Sequence, residues 1–336
     1  MTDRLDLLAL GNAIVDVIAH TDDAFLVSRG LRKGGMTLID EASALTLYDS
    51  MGPATIISGG SAANTIAGAA ALGLRTGFVG KVRDDEAGAH YRHDMRAQGV
   101  AFDTPAATDG PATARSFILV TPDGERTMNT YLGACQGLTA ADVDEATVRS
   151  AGIVYLEGYL WDPPAAKDAF RKAVEIAHGA GSRVALTLSD SFCVDRYRDE
   201  FLELMRGGHV DILFANIHEL KALYQTADEA TALAALRGED LPHDHFVAAV
   251  TRSEEGALVV TREQTRAVPA FPLERLVDTT GAGDLFAGGF LAGLAKGLDH
   301  ADCARLGAMA AAEVISHIGA RPQADLADMA RQNGIL

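Results

Sequence analysis

Cysteine is scarce: the chain has Cys135, Cys193 and Cys303 and no others. They lie far apart with no Cys-x-x-Cys spacing, so neither a zinc site nor a disulfide framework is expected, and a reducing compartment fits. Basic residues are also in deficit, 29 Lys and Arg against 46 Asp and Glu, for a formal charge of −17 and a sequence pI near 4.9. Nucleic acid and anionic membrane surfaces call for a basic footprint, so neither is expected as a partner. A polyanionic small molecule would have to be held by local amides, a metal and a few cations. No apolar run approaches a membrane span, because residues such as Arg75, Lys296 and Glu313 interrupt the most apolar stretches. The first residues include Asp3 and Asp6 and run straight into a strand pattern, unlike a signal sequence, so a cytoplasmic protein is expected. The chain also lacks the Gly-Lys-Ser/Thr of a P-loop and the catalytic loop of a protein kinase.

What the chain has in quantity is glycine, and its most informative cluster is Asp278-Thr279-Thr280-Gly281-Ala282-Gly283-Asp284. The apolar run that follows, 285–294, has large residues separated only by Ala and Gly and reads as a buried helix packed closely against its neighbours. Residues 281–284 then form a helix N-terminus, whose free N–H groups and positive dipole end make an anion site that Gly281 and Gly283 leave open to a phosphate. Asp284 has two readings. It is a good helix N-cap, or it is a general base that takes the proton of an alcohol attacking a phosphoryl group held by the neighbouring amides. A nicotinamide-binding turn fits poorly, since Phe286 stands where the third glycine belongs and the motif lies late in the chain.

Residues 5–18 read as a strand containing Gly11, Asn12 and Asp16, and an ionised Asp in such a strand needs partners. It is either a structural Asp near a strand end or a bidentate acceptor for a ligand's paired hydroxyls. The segments 22–30 and 41–51 read as helices, 36–39 and 55–58 as extended, and 65–72 as a small-residue helix. Tight helix–sheet packing accounts for the small residues of Gly59-Gly60-Ser61-Ala62-Ala63-Asn64, but not for Asn64. Strand-like pieces 112–120 and 126–131 flank Pro122-Asp123-Gly124-Glu125 and form a hairpin. From 152 onward strands and helices alternate, which implies a parallel sheet with right-handed crossovers. Asn216 and Glu219 lie at the C-terminal end of a buried strand, where open α/β sheets bind ligands, although Asn-x-x-Glu is also an ordinary capping box.

The segment 278–284 closely resembles the second signature of the PfkB family of carbohydrate and nucleoside kinases, and 59–64 is similar to the first. The resemblance covers nearly the whole chain in order. It implies an α/β ribokinase-like fold, a mostly parallel central sheet with helices on both faces, formed by one domain over 1–336. A small β-sheet lid, from about 12–40 and 100–134, would stand off it. The implied reaction is ATP-dependent phosphorylation of an alcohol by a monomer or homodimer. Asp284 would be the base, the amides of Gly281, Ala282 and Gly283 the anion hole, and Arg126 a phosphate contact arriving on lid closure. Asn12, Asp16, Gly59, Gly60, Ser61 and Asn64 would hold the acceptor. Asn216 and Glu219 would organise Mg²⁺ through water, Thr251 and Gly256 would belong to the nucleotide-side loop, and Asp278 would help hold a monovalent cation such as K⁺. Several stretches resemble the adenosine kinase branch, so a nucleoside 5′-hydroxyl is the expected acceptor, with Phe192, Tyr159, Leu160 and Trp161 as an apolar wall for the base. The sequence departs from that branch at Asp190-Ser191, where Ala-Pro is usual, and at Thr280, where Asn is usual. The alternative is a sugar kinase acting on a furanose such as ribose or fructose.

Overall fold

The computed structural model describes residues 4–242 and 244–336. The first third runs β1 (Leu5–Leu10), β2 (Ile14–His20), α1 (Asp23–Ser28), β3 (Met36–Leu38), α2 (Glu41–Ser50), β4 (Ala54–Gly59), α3 (Ser61–Ala71), β5 (Thr76–Val79), α4 (Glu86–Ala97) and β6 (Val100–Ala101). Then follow β7 (Ala114–Val120), β8 (Arg126–Tyr131), α5 (Glu145–Ser150), β9 (Ala151–Glu157), α6 (Pro164–Gly179), β10 (Arg183–Thr187), α7 (Ser191–Arg206), β11 (Ile212–Asn216) and α8 (Ile217–Leu223). The chain closes with α9 (Glu229–Gly238), β12 (Val247–Thr251), β13 (Ala257–Thr261), β14 (Thr265–Val268), α10 (Ala282–Ala295), α11 (His300–Val314) and α12 (Leu326–Gln332). Much of the acidic excess has local work here: Asp40, Asp85, Asp190 and Asp299 each accept a backbone N–H at the start of a helix.

The strands form two sheets, one in the order β14-β13-β12-β11-β10-β9-β1-β5-β6 and one in the order β3-β8-β7-β2-β4. In the large sheet β12 through β6 pair in parallel, and β13 and β14 add an antiparallel edge. The expectation of a mainly parallel sheet covered by helices therefore holds. The single strand expected over 5–18 is two strands, because the chain leaves the large sheet at Gly11 and enters the small one at Ile14. That break lets one short segment belong to both sheets.

The core lies on both faces of the large sheet. On one face α10 is clamped between α3 and α11, and the small residues expected over 285–294 serve close approach. A Cβ added at Gly289 would lie 2.7 Å from the Gly307 Cα and from the Leu306 carbonyl oxygen, both on α11. Gly289→Val must therefore push α10 and α11 apart. It is expected to destabilise the protein by about 1–3 kcal/mol, read as a lower midpoint in urea unfolding; an unchanged midpoint contradicts this packing.

Candidate active site

Gly281 begins α10 with φ of 81°, and a Cβ there would meet the Ala320 Cβ at 2.7 Å, so only glycine fits. Among the described residues, the N–H groups of Gly281, Gly283 and Asp284 have no hydrogen-bond partner, whereas that of Ala282 makes a 3.2 Å turn bond to the Thr279 carbonyl. Three donors thus stand free at the positive end of a helix. Asp284 is not the N-cap; that position is Gly281. The Asp284 carboxylate accepts hydrogen bonds from α3, 2.6 Å from Ser61 Oγ and 2.9 Å from Asn64 Nδ2. Burial raises it above the usual carboxylate range, and those two donors and the Arg321 charge oppose the rise.

A cavity of about 830 Å³ opens at this helix end. Ser61, Asn216, Glu219, Thr251, Gly256, Gly281, Ala282, Gly283 and Asp284 all line it. It is also walled by apolar residues of α11, of its C-cap and of the loop before α10, among them Ala308, Ala312, Ile315 and Leu276. Asn216 and Glu219 do form a capping box, the Glu219 N–H donating to Asn216 Oδ1 at 2.9 Å and the Asn216 N–H to Glu219 Oε2 at 3.0 Å. Both readings of that motif therefore hold at once, as a cap and as part of the cavity wall. Burial pushes the Glu219 carboxyl up to about 7.

Asn12, Asp16, Gly59, Gly60 and Asn64 are not in this wall; Asn64 connects to it through its bond to Asp284, and Gly59 and Gly60 directly precede Ser61. Asp16 is 9% exposed, and no described residue donates a hydrogen bond to its carboxylate. Desolvation pushes it up to about 7, with Arg321 and Arg126 opposing. A Cβ at Gly59 would lie 2.2 Å from Asp16 Oδ2, so that glycine makes room for the carboxylate. Asn64 gives its amide N–H to Asp284, and its Oδ1 is buried with no partner. Ser61, expected to meet an acceptor hydroxyl, donates its own hydroxyl proton to Asp284 and keeps its lone pairs as acceptors.

Arg126 lies at the start of β8, its side chain 10% exposed, and its guanidinium pairs with Asp278. Its Nη1 and Nη2 are buried and make no well-formed hydrogen bond. Asp278 also accepts from the Thr280 N–H at 3.0 Å and from the Gly319 N–H at 3.0 Å.

The aromatic wall is not formed as expected. Trp161 and Leu160 are core residues; Trp161 packs on Phe170 and Phe201 and donates Nε1–H to Glu200 at 2.9 Å. Phe192 is 62% exposed and lies outside the cavity, with the Arg196 guanidinium 4.4 Å above its ring. The cause is Asp190, which caps α7 by accepting the Cys193 N–H at 2.6 Å; Cys193 and Val194 then turn to the core and Phe192 to solvent. Tyr159 is half-buried and anchored to Ser189.

Sequence reasoning missed Glu157, at the end of β9 and 1% exposed. Its carboxylate accepts from Asn12 Nδ2 at 2.7 Å, the Asn12 N–H at 3.3 Å and the Ala62 N–H at 2.9 Å, tying the β1–β2 break to the start of α3. A lone carboxylate closing the apolar run Ile153-Val154-Tyr155-Leu156 was its only signal. Among the described residues no cluster of three or more His, Cys, Asp or Glu side chains is arranged to hold a metal ion directly, and no helix is long and apolar enough to cross a membrane.

The model of the pfkB family carbohydrate kinases matches residues 53–326. The chain is 29% identical over 332 residues to the adenosine kinase of Saccharomyces cerevisiae, covering 93% of this chain and 95% of that one. An ATP-dependent ribose-1-phosphate kinase of Halopiger xanaduensis is 33% identical over 236 residues, covering 70% of this chain and 72% of that one. Among solved structures, the adenosine kinase of Sinorhizobium meliloti is 54% identical with a TM-score of 0.91, over 98% of this chain and 99% of that one. A probable sugar kinase from Rhizobium etli is 49% identical with a TM-score of 0.93 over the full length of both. With free N–H groups at a helix end, an adjoining buried carboxylate and a family match over most of its length, the chain belongs to the pfkB family of carbohydrate kinases.

Proposed function

We propose that the chain uses ATP to phosphorylate the 5′-hydroxyl of a nucleoside, adenosine first among them. The observation that carries this reading is a pair of unsatisfied groups beside the β4–α3 turn: the Asp16 carboxylate, to which no described residue donates, and Asn64 Oδ1. A buried carboxylate with no protein donor is costly unless a ligand completes it, and the paired hydroxyls of a ribose bring two O–H donors. The similarity to the S. meliloti and S. cerevisiae adenosine kinases points to a nucleoside. A furanose kinase is the second reading, favoured by Trp161 and Phe192, which form no wall for a base.

In the mechanism, Asp16, Asn12, Gly60 and Asn64 hold the acceptor so that its 5′-oxygen faces Asp284, and the donor occupies the large cavity. Ser61 and Asn64 fix the orientation of the Asp284 carboxylate. The free N–H groups of Gly281 and Gly283 take the charge that develops on the transferred phosphoryl, and Asp284 accepts the proton of the hydroxyl. The capping-box carboxylate of Glu219 faces the cavity, with lone pairs left to accept hydrogen bonds from metal-bound water. Mg²⁺, which keeps much of its hydration shell and rides on substrate phosphates, fits that arrangement and would neutralise phosphate charge when bound. We further propose that the β3-β8-β7-β2-β4 sheet serves as the lid, closing water out of the transfer.

A monovalent cation on Asp278 fits less well. That carboxylate already accepts two backbone N–H groups and pairs with Arg126, which supplies the positive charge itself.

Three outcomes are expected. In an ATP-consumption panel of adenosine, guanosine, inosine, cytidine, ribose and fructose, turnover is confined to nucleosides, and Asp284→Asn loses on the order of 10² to 10⁴ in rate. Turnover on free sugars alone selects the second reading, and near-normal turnover by Asp284→Asn removes the base. For Asp16, the folded value near 7 exceeds the ordinary 3.8, so its contribution to stability is present below about 4 and lost as pH rises through 7. Asp16→Asn should then melt higher than the parent at pH 8, by less at pH 5, while its KM for the acceptor rises at least about tenfold. A lower melting temperature at pH 8 would count against an ionised, unpartnered Asp16. Replacing K⁺ by choline at constant ionic strength should change neither turnover nor melting temperature; strong activation by K⁺ would refute the role given to Arg126.

A further inference from the structure

Arg321 lies in the turn after α11 and sends its guanidinium to the junction of β4 and α3. Nε and Nη2 each donate to the Ser58 carbonyl at 3.1 Å, Nη2 also lies 3.3 Å from Ser58 Oγ and 3.6 Å from Met95 Sδ, and Nη1 donates to the Ala63 carbonyl. Every one of these acceptors is neutral, and no described carboxylate makes an ion pair with Arg321. An arginine whose donors are spent on carbonyls keeps its full charge for its surroundings.

Those surroundings are acidic. Tyr91 and Asp94 on α4, Asp16 on β2 and Asp284 on α10 all lie within electrostatic reach. The other ionisable groups facing Asp284 are Asp16, Glu157 on β9, Glu219 on α8 and the tyrosines Tyr155 and Tyr159, none of them a cation. Asp16 has Arg126 of β8 besides. The two carbonyls that Arg321 joins bracket the chain turn from Gly59 to Ala62, with Ser61 inside it and Asn64 directly after it. Asp94 supports the same point from the other side, its Oδ2 accepting the Ser58 N–H at 3.2 Å.

We propose that Arg321 is a positioning residue for the transfer: it clamps the β4–α3 turn that presents Ser61 and Asn64 to Asp284, and it supplies a fixed positive charge shared by Asp16 and Asp284. The proposal rests on Asp284 as the base. It assigns two separable contributions, bracing and charge, to one side chain. Arg321→Lys keeps the charge but has one ammonium where a fork spanned two carbonyls, so it loses bracing alone. Arg321→Met loses both.

The test is the pH profile of kcat/KM for adenosine, measured for the parent, Arg321→Lys and Arg321→Met, with Asp284→Asn alongside. In Arg321→Met the acid limb should move up by about one pH unit, so that much of the lost activity returns near pH 9. In Arg321→Lys the limb should stay where the parent has it while kcat falls roughly tenfold. An Arg321→Met profile with the parent's limb, at whatever melting temperature, overturns the proposal, since a purely structural residue lowers stability without moving the limb. If Arg321→Met does not fold, Arg321→Gln against Arg321→Lys makes the same comparison of neutral with charged. Asp284→Asn keeps the two ideas apart: its inactivity beside an unmoved limb in Arg321→Met sinks the proposal for Arg321 only, whereas full activity in Asp284→Asn removes the base on which it rests.

Discussion

Two hydrogen bonds organise the molecule, those from Ser61 and Asn64 to Asp284, which join positions more than 200 residues apart in the chain. A carboxylate at the third position of a helix would ordinarily turn back to its own backbone or out to water. Here it is taken up by a neighbouring helix, and the N–H groups of Gly281, Gly283 and Asp284 stay free. The close packing of α10 against α3 makes this capture possible, and the glycine and alanine content of both helices makes that packing possible. Free amides and an oriented carboxylate are thereby brought together at one helix end.

The price of such a centre is an accumulation of buried acids. Asp16, Glu157 and Glu219 are each held up to about 7 by burial, and Asp284 is raised as well. The protein meets this repulsion unevenly. Glu157 receives three N–H donors and works as a structural tie. Glu219 is engaged in its capping box. Asp16 receives none, although Gly59 makes space for it. Arg126 and Arg321 bring positive charge from opposite directions, one from the small sheet and one from the C-terminal turn.

Local sequence carried much of this. The heptad 278–284 announces a helix start with free amides, Asn64 stands out because an amide does not belong in a small apolar helix, and Asn216 with Glu219 is recognisable from spacing alone. What was hidden depends on partners distant in sequence. Glu157 looks like the end of a strand and Arg321 like a turn residue until the segments they tie together are seen side by side. The break at Gly11 was invisible because both strands it separates are apolar. The aromatic residues near 160 and 192 misled for a related reason: a ring beside a strand end has the same local signature whether it faces a ligand, the core or water, and the Asp190 cap decided among these.

The chain crosses between the two sheets after β1, β4, β6 and β8; Asp16 and Arg126 both belong to the small sheet, while the helix-end amides and Asp284 belong to α10 and its flanks. On the proposed reading the small sheet contributes Asp16 to recognition of the acceptor, α10 carries the transfer, and Asn64 of α3 serves both. On that reading, substitutions along the small sheet retune which alcohol is admitted over evolutionary time without disturbing the packing of α10 against α3 and α11. Divergence in acceptor choice beside constancy of chemistry is what this division of labour permits.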